Sequence, residues 1–301
     1  MKTKKIFTLT ALIFAATYLS PNTASAQTIS SGGRHSLFLC NNGTVMSCGH
    51  NSNGQLGDGT LIDKNTVVAV SGLSGITALA GGNQQSYALK NDGTVWAWGH
   101  NLFGQIGDGT NVDKLTPVAV TSLTGVSGIA GGYLYTLALK NDGTVWAWGK
   151  NDYGQLGDGT LINKNIPVQV TGLTGIIDIA GGDGHSLALK NDGTVWAWGY
   201  NAYGQLGDGT IINKTAPVQV IGLTNITRIA NGDGNHSLAL KNDGTVWAWG
   251  YNYFGELGDG TTNTSGCFCK STAIQTSSLT GIIGIARGYL HSLAVKNDGT
   301  V

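Results

Sequence analysis

The side chains that could do covalent or metal chemistry in this 301-residue chain are six His, seventeen acidic residues and four Cys. His35, His185, His236 and His291 each open a His-Ser-Leu segment. A residue that returns at one position of a recurring pattern suits a structural hydrogen bond better than a lone catalytic role. His50 and His100 occupy one turn position, with no Cys, Asp or Glu at metal-ligand spacing. The recurring Asp of Gly-Asp-Gly-Thr and Asn-Asp-Gly-Thr raises the question of calcium, yet neither matches an EF-hand or a Gly-rich calcium array. Turn formation accounts for those Asp residues. No Gly-x-Ser-x-Gly, phosphate loop or paired-carboxylate motif occurs. The expectation is a protein without catalytic residues, metal or cofactor.

Non-covalent recognition is the chemistry that remains. His50, His100, Lys150, Tyr200 and Tyr251 directly follow a recurring segment, and Asn53, Phe103, Tyr153, Tyr203, Tyr253 and Phe254 stand two or three positions further on. A second group varies in register ahead of the Ser-Leu position: Arg34-His35, Asn83 to Gln85, Tyr133 to Tyr135, Asp183 to His185, Asp233 to His236 and Tyr289 to His291. Aromatic residues dominate the energetics of protein interfaces. The candidate binding residues are therefore His100, Phe103, Tyr133, Tyr135, Lys150, Tyr153, Tyr200, Tyr203, Tyr251, Tyr253, Phe254 and Tyr289.

The elements that position them follow from the repeat. Asn-Asp-Gly-Thr-Val-Trp-Ala-Trp-Gly begins at residues 91, 141, 191 and 242, a variant at 41, and Asn-Asp-Gly-Thr-Val again at 297. A period near 50 is that of four-stranded propeller blades. Gly numbers 48, and only 11% of residues are charged, which excludes a charge-rich disordered chain. In one unit the strands are expected at 176–180, 186–190, 194–199 and 217–220. Asp-Gly suits a two-residue type I′ hairpin, and Gly204 to Thr210 reads as loop. Trp196 and Trp198 share one strand face, and Val195, Ala197 and Gly199 the other. Large rings opposite small residues suit sheets stacked face to face, so the eight Trp are expected to be packing residues. The fold class is all-β: a propeller of four-stranded antiparallel blades, with about five and a half repeats present. First-to-second and third-to-fourth connections emerge at one end, which varies between units, and the nearly constant Asn-Asp-Gly turns at the other. Varied loops on a rigid scaffold are where recognition sits.

Residues 1–26 read as a secretory signal. Lys2, Lys4 and Lys5 precede an apolar run from Ile6 to Leu19, and Ala24-Ser25-Ala26 supplies a cleavage site after Ala26. Fourteen residues span roughly 21 Å of helix, short of a ~30 Å hydrocarbon core. The mature chain, 27–301, then carries 14 Lys+Arg against 17 Asp+Glu. That surface offers no attraction to nucleic acid, and no later segment has membrane-spanning length. A secreted, periplasmic or cell-surface location is expected. With a two-residue hairpin, Cys40 would face Val45 and Cys48 would face Leu37, too far apart for a disulfide. For Cys267 and Cys269, free thiols or one long-range bridge both remain open.

The stretch from Gly181 to Thr210, GGDGHSLALKNDGTVWAWGYNAYGQLGDGT, resembles the repeat of the regulator of chromosome condensation family. Its His-Ser-Leu-Ala-Leu, Asp-Gly-x-Val-x-x-Trp-Gly and Gly-Gln-Leu-Gly-x-Gly segments stand in family order, and the likeness recurs through the mature chain. The resemblance implies a seven-bladed propeller when complete, about 350 residues at this period, so the chain is expected to be a C-terminally incomplete member. It also implies partner binding: the eukaryotic founder exchanges guanine nucleotide on a small GTPase and contacts chromatin, while secreted bacterial relatives include β-lactamase inhibitors. The leader and the absence of a basic tail argue against nucleotide exchange here. The leading expectation is a non-enzymatic scaffold that binds an unidentified protein through the loop-rich end. The alternative is a lectin-like propeller that binds a glycan.

Overall fold

The computed structural model describes residues 29–40, 43–230, 232, 234–262 and 268–301. The expected leader, residues 1–26, and Cys267 lie outside the described residues. All regular structure in them is β-strand. The first blade is β1 (Ile29–Ser31), β2 (His35–Leu39), β3 (Val45–Gly49) and β4 (Lys64–Ala69). The second is β5 (Ile76–Gly81), β6 (Gln85–Lys90), β7 (Val95–Gly99) and β8 (Lys114–Ala119). The third is β9 (Val126–Gly131), β10 (Tyr135–Lys140), β11 (Val145–Gly149) and β12 (Lys164–Gln169). The fourth is β13 (Ile176–Gly181), β14 (His185–Lys190), β15 (Val195–Gly199) and β16 (Lys214–Gln219). The fifth is β17 (Ile226–Ala230), β18 (His236–Lys241), β19 (Val246–Tyr251) and β20 (Cys269–Gln275). A hairpin of β21 (Ile282–Arg287) and β22 (Ser292–Lys296) follows. Within every blade the strands pair antiparallel in chain order, and the first strands of successive blades touch around the central axis. Five blades and half of a sixth match the propeller read from the period.

The hairpin turn differs from the expected type. Gly93 N donates to Lys90 O at 3.0 Å, Lys90 N to Thr94 O at 2.9 Å, and Gly93 has φ +77° while Asn91 and Asp92 keep negative φ. This is a three-residue loop, a type I turn closed by a left-handed Gly. Asp92 Oδ1 accepts from Thr94 N and Oγ1 at 2.9 and 2.6 Å, which secures the turn from its side chain. The extra residue shifts the register by one, so Cys48 faces Ser36 and Leu39 faces Val45. Cys40 and Cys48 are free thiols, whereas Cys269 is disulfide-bonded. The fourth strand also starts earlier than expected, at Lys214, with Pro217 inside it on the blade's outer edge, where a missing N–H breaks no ladder bond.

Blades are fastened by the second Trp of each repeat. Trp98, Trp148, Trp198 and Trp249 are fully buried, each in a cluster with Val and Leu residues of the preceding blade. Their indole Nε1 groups donate across the junction to the carbonyls of Gln55, Gln105, Gln155 and Gln205 at 2.8–2.9 Å. Each carbonyl takes a second donor from the same neighbour: Ser86, Thr136, Ser186 or Ser237. A reciprocal clamp comes from the residue that opens each second strand. His35, His185 and His236 meet the next blade's Ser86, Ser237 and Ser292 through Nε2 at 2.8–3.0 Å. Gln85 fills that position in the second blade and donates to Gly132 O at 2.9 Å.

Candidate interaction surface at the loop-rich end

The long third-to-fourth connection is the largest structure at the variable end, and a buried Asn organises it. Asn201 N donates to Asn213 Oδ1 at 2.8 Å, and its Nδ2 reaches Asp208 Oδ1, Thr210 O and Ile212 O at 3.1–3.2 Å. Its Oδ1 accepts from Leu206 N at 2.9 Å. Asn51, Asn101, Asn151 and Asn252 hold their loops through the same carboxamide contacts and are equally buried. Burial raises the pKa of Asp208, but the Thr210 hydroxyl and amide, Lys214 and Asn201 outweigh it and hold the carboxyl below its ordinary value. Gln205 completes the frame: its Oε1 accepts from Tyr203 N at 2.9 Å, while its carbonyl holds the next blade. The loops are therefore built as rigid parts of the scaffold, and what they carry is held in a fixed place.

What they carry includes a continuous chain of rings. Tyr153 lies 4.7 Å from Tyr200 between ring centroids, Tyr200 is 6.0 Å from Tyr203, Tyr203 is 5.0 Å from Tyr251, and Tyr251 is 6.4 Å from Tyr253. Tyr253 ends the chain against Phe254 at 4.7 Å and Phe268 at 5.3 Å. The chain crosses blade boundaries because the residue after each Trp-Ala-Trp-Gly strand meets the preceding blade's loop. Between the second and third blades the same junction pairs Lys150 with Phe103, the ammonium 5.3 Å from the ring centroid, a cation–π contact. Lys150 also lies 3.3 Å from Asp152. His100 is tied to Gln105 Nε2 at 2.8 Å through Nδ1. Desolvation, then the neighbouring Tyr203 and Tyr153, raises the Tyr200 phenol above its ordinary pKa.

The twelve candidate residues are thus divided by the fold. Phe103 with Lys150, and Tyr153, Tyr200, Tyr203, Tyr251, Tyr253 and Phe254, form junction pairs along one arc. Tyr133 and Tyr289 are exposed on first-to-second connections, and Tyr289 lines a cavity of about 330 Å³ at the axis. Tyr135 does not belong to the surface. It opens β10, is fully buried, and its hydroxyl donates to His185 O at 2.5 Å while accepting from Gly182 N at 3.0 Å. It fills the clamp position of His35 and Gln85, which corrects its assignment as a binding residue.

A second exposed feature escaped the sequence reading. Leu61-Ile62, Val112, Leu161-Ile162 and Ile211-Ile212 follow the Gly-Asp-Gly-Thr turns and are strongly exposed, Ile62 and Val112 at 66%. The carbonyls of Ile62, Val112, Ile162 and Ile212 accept from the buried Asn hubs. An apolar pair recurring in a loop between turn residues, with no strand alternation around it, was the available signal. Exposed aliphatic side chains held on rigid loops are candidates for contact with a partner.

The sequence profile of the RCC1-like domain matches residues 10–234, and that of the regulator of chromosome condensation (RCC1) repeat matches 226–256 and 243–295. Among solved structures, human WBSCR16 is similar with a TM-score of 0.77 at 25% identity, over 89% of this chain and 71% of the other. Yeast RCC1 (Prp20), in a complex with Kap60, gives 0.77 at 26% identity over 90% and 67%. Prp20p of Saccharomyces cerevisiae, described with its binding to Gsp1p and histones, gives 0.76 at 26% over 89% and 69%.

Proposed function

The chain belongs to the RCC1-like repeat family, and from that premise we propose that it is a secreted, non-enzymatic scaffold that holds a protein partner against its loop-rich end. The observation that carries the proposal is the coincidence, on rigid loops at one end, of the junction rings and the exposed aliphatic pairs. Similar propellers whose descriptions name protein partners, Kap60, Gsp1p and histones, support protein binding as the general role. Export rests on the leader of residues 1–26. Rings and aliphatic pairs together suit a protein surface, because a well-packed apolar centre supplies most interface energy.

A glycan is the weaker reading. Sugar stacking needs free ring faces, whereas Tyr203 with Tyr251 and Tyr253 with Phe254 pack edge to face at 70° and 86°. The test is to recover a partner by affinity capture and measure its affinity for variants. Tyr153→Ala and Tyr253→Ala should each weaken a stoichiometric complex by on the order of 1–2 kcal/mol, while Asp142→Ala in the opposite turn should leave it unchanged. Affinity carried by the turn end, or selective binding on a glycan array that those Tyr variants abolish, would overturn the assignment.

A further inference from the structure

At the loop-rich end, each of these junctions brings together one side chain from the preceding blade's third-to-fourth loop and one that follows the next blade's third strand. Between the second and third blades they are Phe103 and Lys150. The Lys150 ammonium lies 5.3 Å from the Phe103 ring centroid and 3.3 Å from the Asp152 carboxylate. A ring and a carboxylate there hold a cation that the chain itself supplies.

Between the third and fourth blades the same two positions hold Tyr153 and Tyr200, so a second ring stands where the cation stood. The ring centroids are 4.7 Å apart with the planes at 45°, and Tyr153 is 39% exposed. The carboxylate arrives from a different element. The fourth blade's first-to-second connection carries Asp183, where the second and third blades have Asn83 and Tyr133. Tyr200 N donates to Gly184 O at 2.8 Å, and a Cβ on Gly184 would stand 3.0 Å from Tyr153 Cδ2 and 3.2 Å from Tyr200 Cβ. The absence of a side chain at Gly184, where the two preceding blades have Gln84 and Leu134, lets the connection lie against both rings. Asp183, half-buried, is thereby held beside Tyr200. Desolvation and the Tyr203 and Tyr153 rings raise the Tyr200 phenol most, and the Asp183 charge adds to them.

We propose that this junction receives an arginine side chain of the protein partner, its guanidinium stacked on the exposed Tyr153 ring and its N–H groups directed to Asp183. The proposal rests on the loop-rich end being the protein-binding surface, and it names the chemistry that one point of that surface selects. Ring faces and a carboxylate all attract positive charge. Guanidinium is the cation that stacks on an aromatic face while donating in its own plane to a carboxylate. Both walls of the site come from complete blades that have complete blades on their far sides.

The test titrates the full chain, labelled with 13C in its Tyr rings, with N-acetyl-arginine amide and with its neutral isostere N-acetyl-citrulline amide, followed by NMR. The arginine amide should shift the Tyr153 and Tyr200 signals saturably, with the signals assigned from Tyr153→Phe and Tyr200→Phe. The citrulline amide should bind about tenfold more weakly. Asp183→Asn, which takes the residue of the second blade, should weaken the arginine amide by about tenfold. Tyr200→Lys, which rebuilds the third blade's own arrangement, should abolish the Tyr153 shift. Absence of the shifts, equal binding of the citrulline amide, or an affinity unchanged in Asp183→Asn would overturn the proposal. If the shifts are absent while Tyr153→Ala still weakens a captured complex, the arginine site fails and the protein-binding reading stands. Arginine shifts together with a partner captured at the turn end would instead overturn that reading, and with it the partner as the source of the arginine.

Discussion

Three of the clamping histidines should make the propeller sensitive to acid, and His35→Gln should remove part of that sensitivity. The Ser86 hydroxyl gives its one proton to Gln55 O at 2.8 Å, so the 2.8 Å contact with His35 Nε2 has the imidazole as donor. His35 is thereby fixed as the Nε2–H tautomer, with a buried Nδ1 that has no partner. Protonation would place a charged N–H where nothing accepts it. Burial, and then His50, lowers the His35 pKa to about 4, and burial, then Arg287, lowers His236 to about 2. An unfolded His titrates near 6.5. Below that pH the unfolded chain takes up a proton that the folded chain refuses, so stability falls as pH falls. For His35 alone the loss is about 3 kcal/mol by pH 4. Asp178 opposes it: burial raises its pKa to about 6, so the folded state gains stability as pH falls from there toward 3.8. That contribution is common to wild type and variant and cancels between them. Gln is accepted at this position in the second blade, as Gln85. Urea unfolding followed by Trp fluorescence at pH 7 and pH 4 should therefore show His35→Gln losing about 3 kcal/mol less than wild type. Equal losses would refute the buried neutral imidazole as a source of acid sensitivity.

Other substitutions separate scaffold from surface. Trp198→Ala should cost about 3–5 kcal/mol of stability, whereas Trp198→Phe, which keeps most of the packing and removes the bond to Gln155 O, should cost about 1–2 kcal/mol; both are read from urea midpoints. Asn151→Asp should destabilise about as much as Asn151→Ala, by roughly 2–4 kcal/mol, because a carboxyl facing Asp158, Thr160 O and Ile162 O adds acceptors where donors are needed. Ile162→Ser and Ile212→Ser should change stability by less than about 0.5 kcal/mol and weaken a captured partner by on the order of 1–2 kcal/mol each.

The parts of the fold that were legible in the sequence are those where side-chain size and period decide the outcome. Trp-x-Trp opposite Val-x-Ala has one packing solution at a 50-residue period, and the buried Trp layer follows from it. The turn was less legible because a two-residue and a three-residue loop use the same Asn-Asp-Gly letters; only the Gly93 N to Lys90 O bond and the Thr94 contacts of Asp92 separate them. That one-residue difference moved Cys48 from opposite Leu37 to opposite Ser36.

Which end of the blades carries the aromatic loops was legible in the sequence, and which of their side chains are exposed was not. Tyr133 and Tyr135 stand two positions apart at the same end, yet one is exposed and the other is a clamp between blades. The deciding fact is where β10 begins, which depends on Gly132 N reaching Tyr135 O rather than on residue type. The buried Asn hubs were hidden for a related reason: an Asn beside Gly-rich sequence reads as a turn former, although each one satisfies a whole loop's backbone from inside. Those hubs fix the direction of the aliphatic pairs, since a loop whose carbonyls are drawn inward to Asn51 or Asn201 must turn Ile62 or Ile212 outward. The placement of the exposed aliphatic side chains therefore comes from the interior of the loop. The polar residues that recur from blade to blade lock the backbone, and the apolar residues beside them are left exposed.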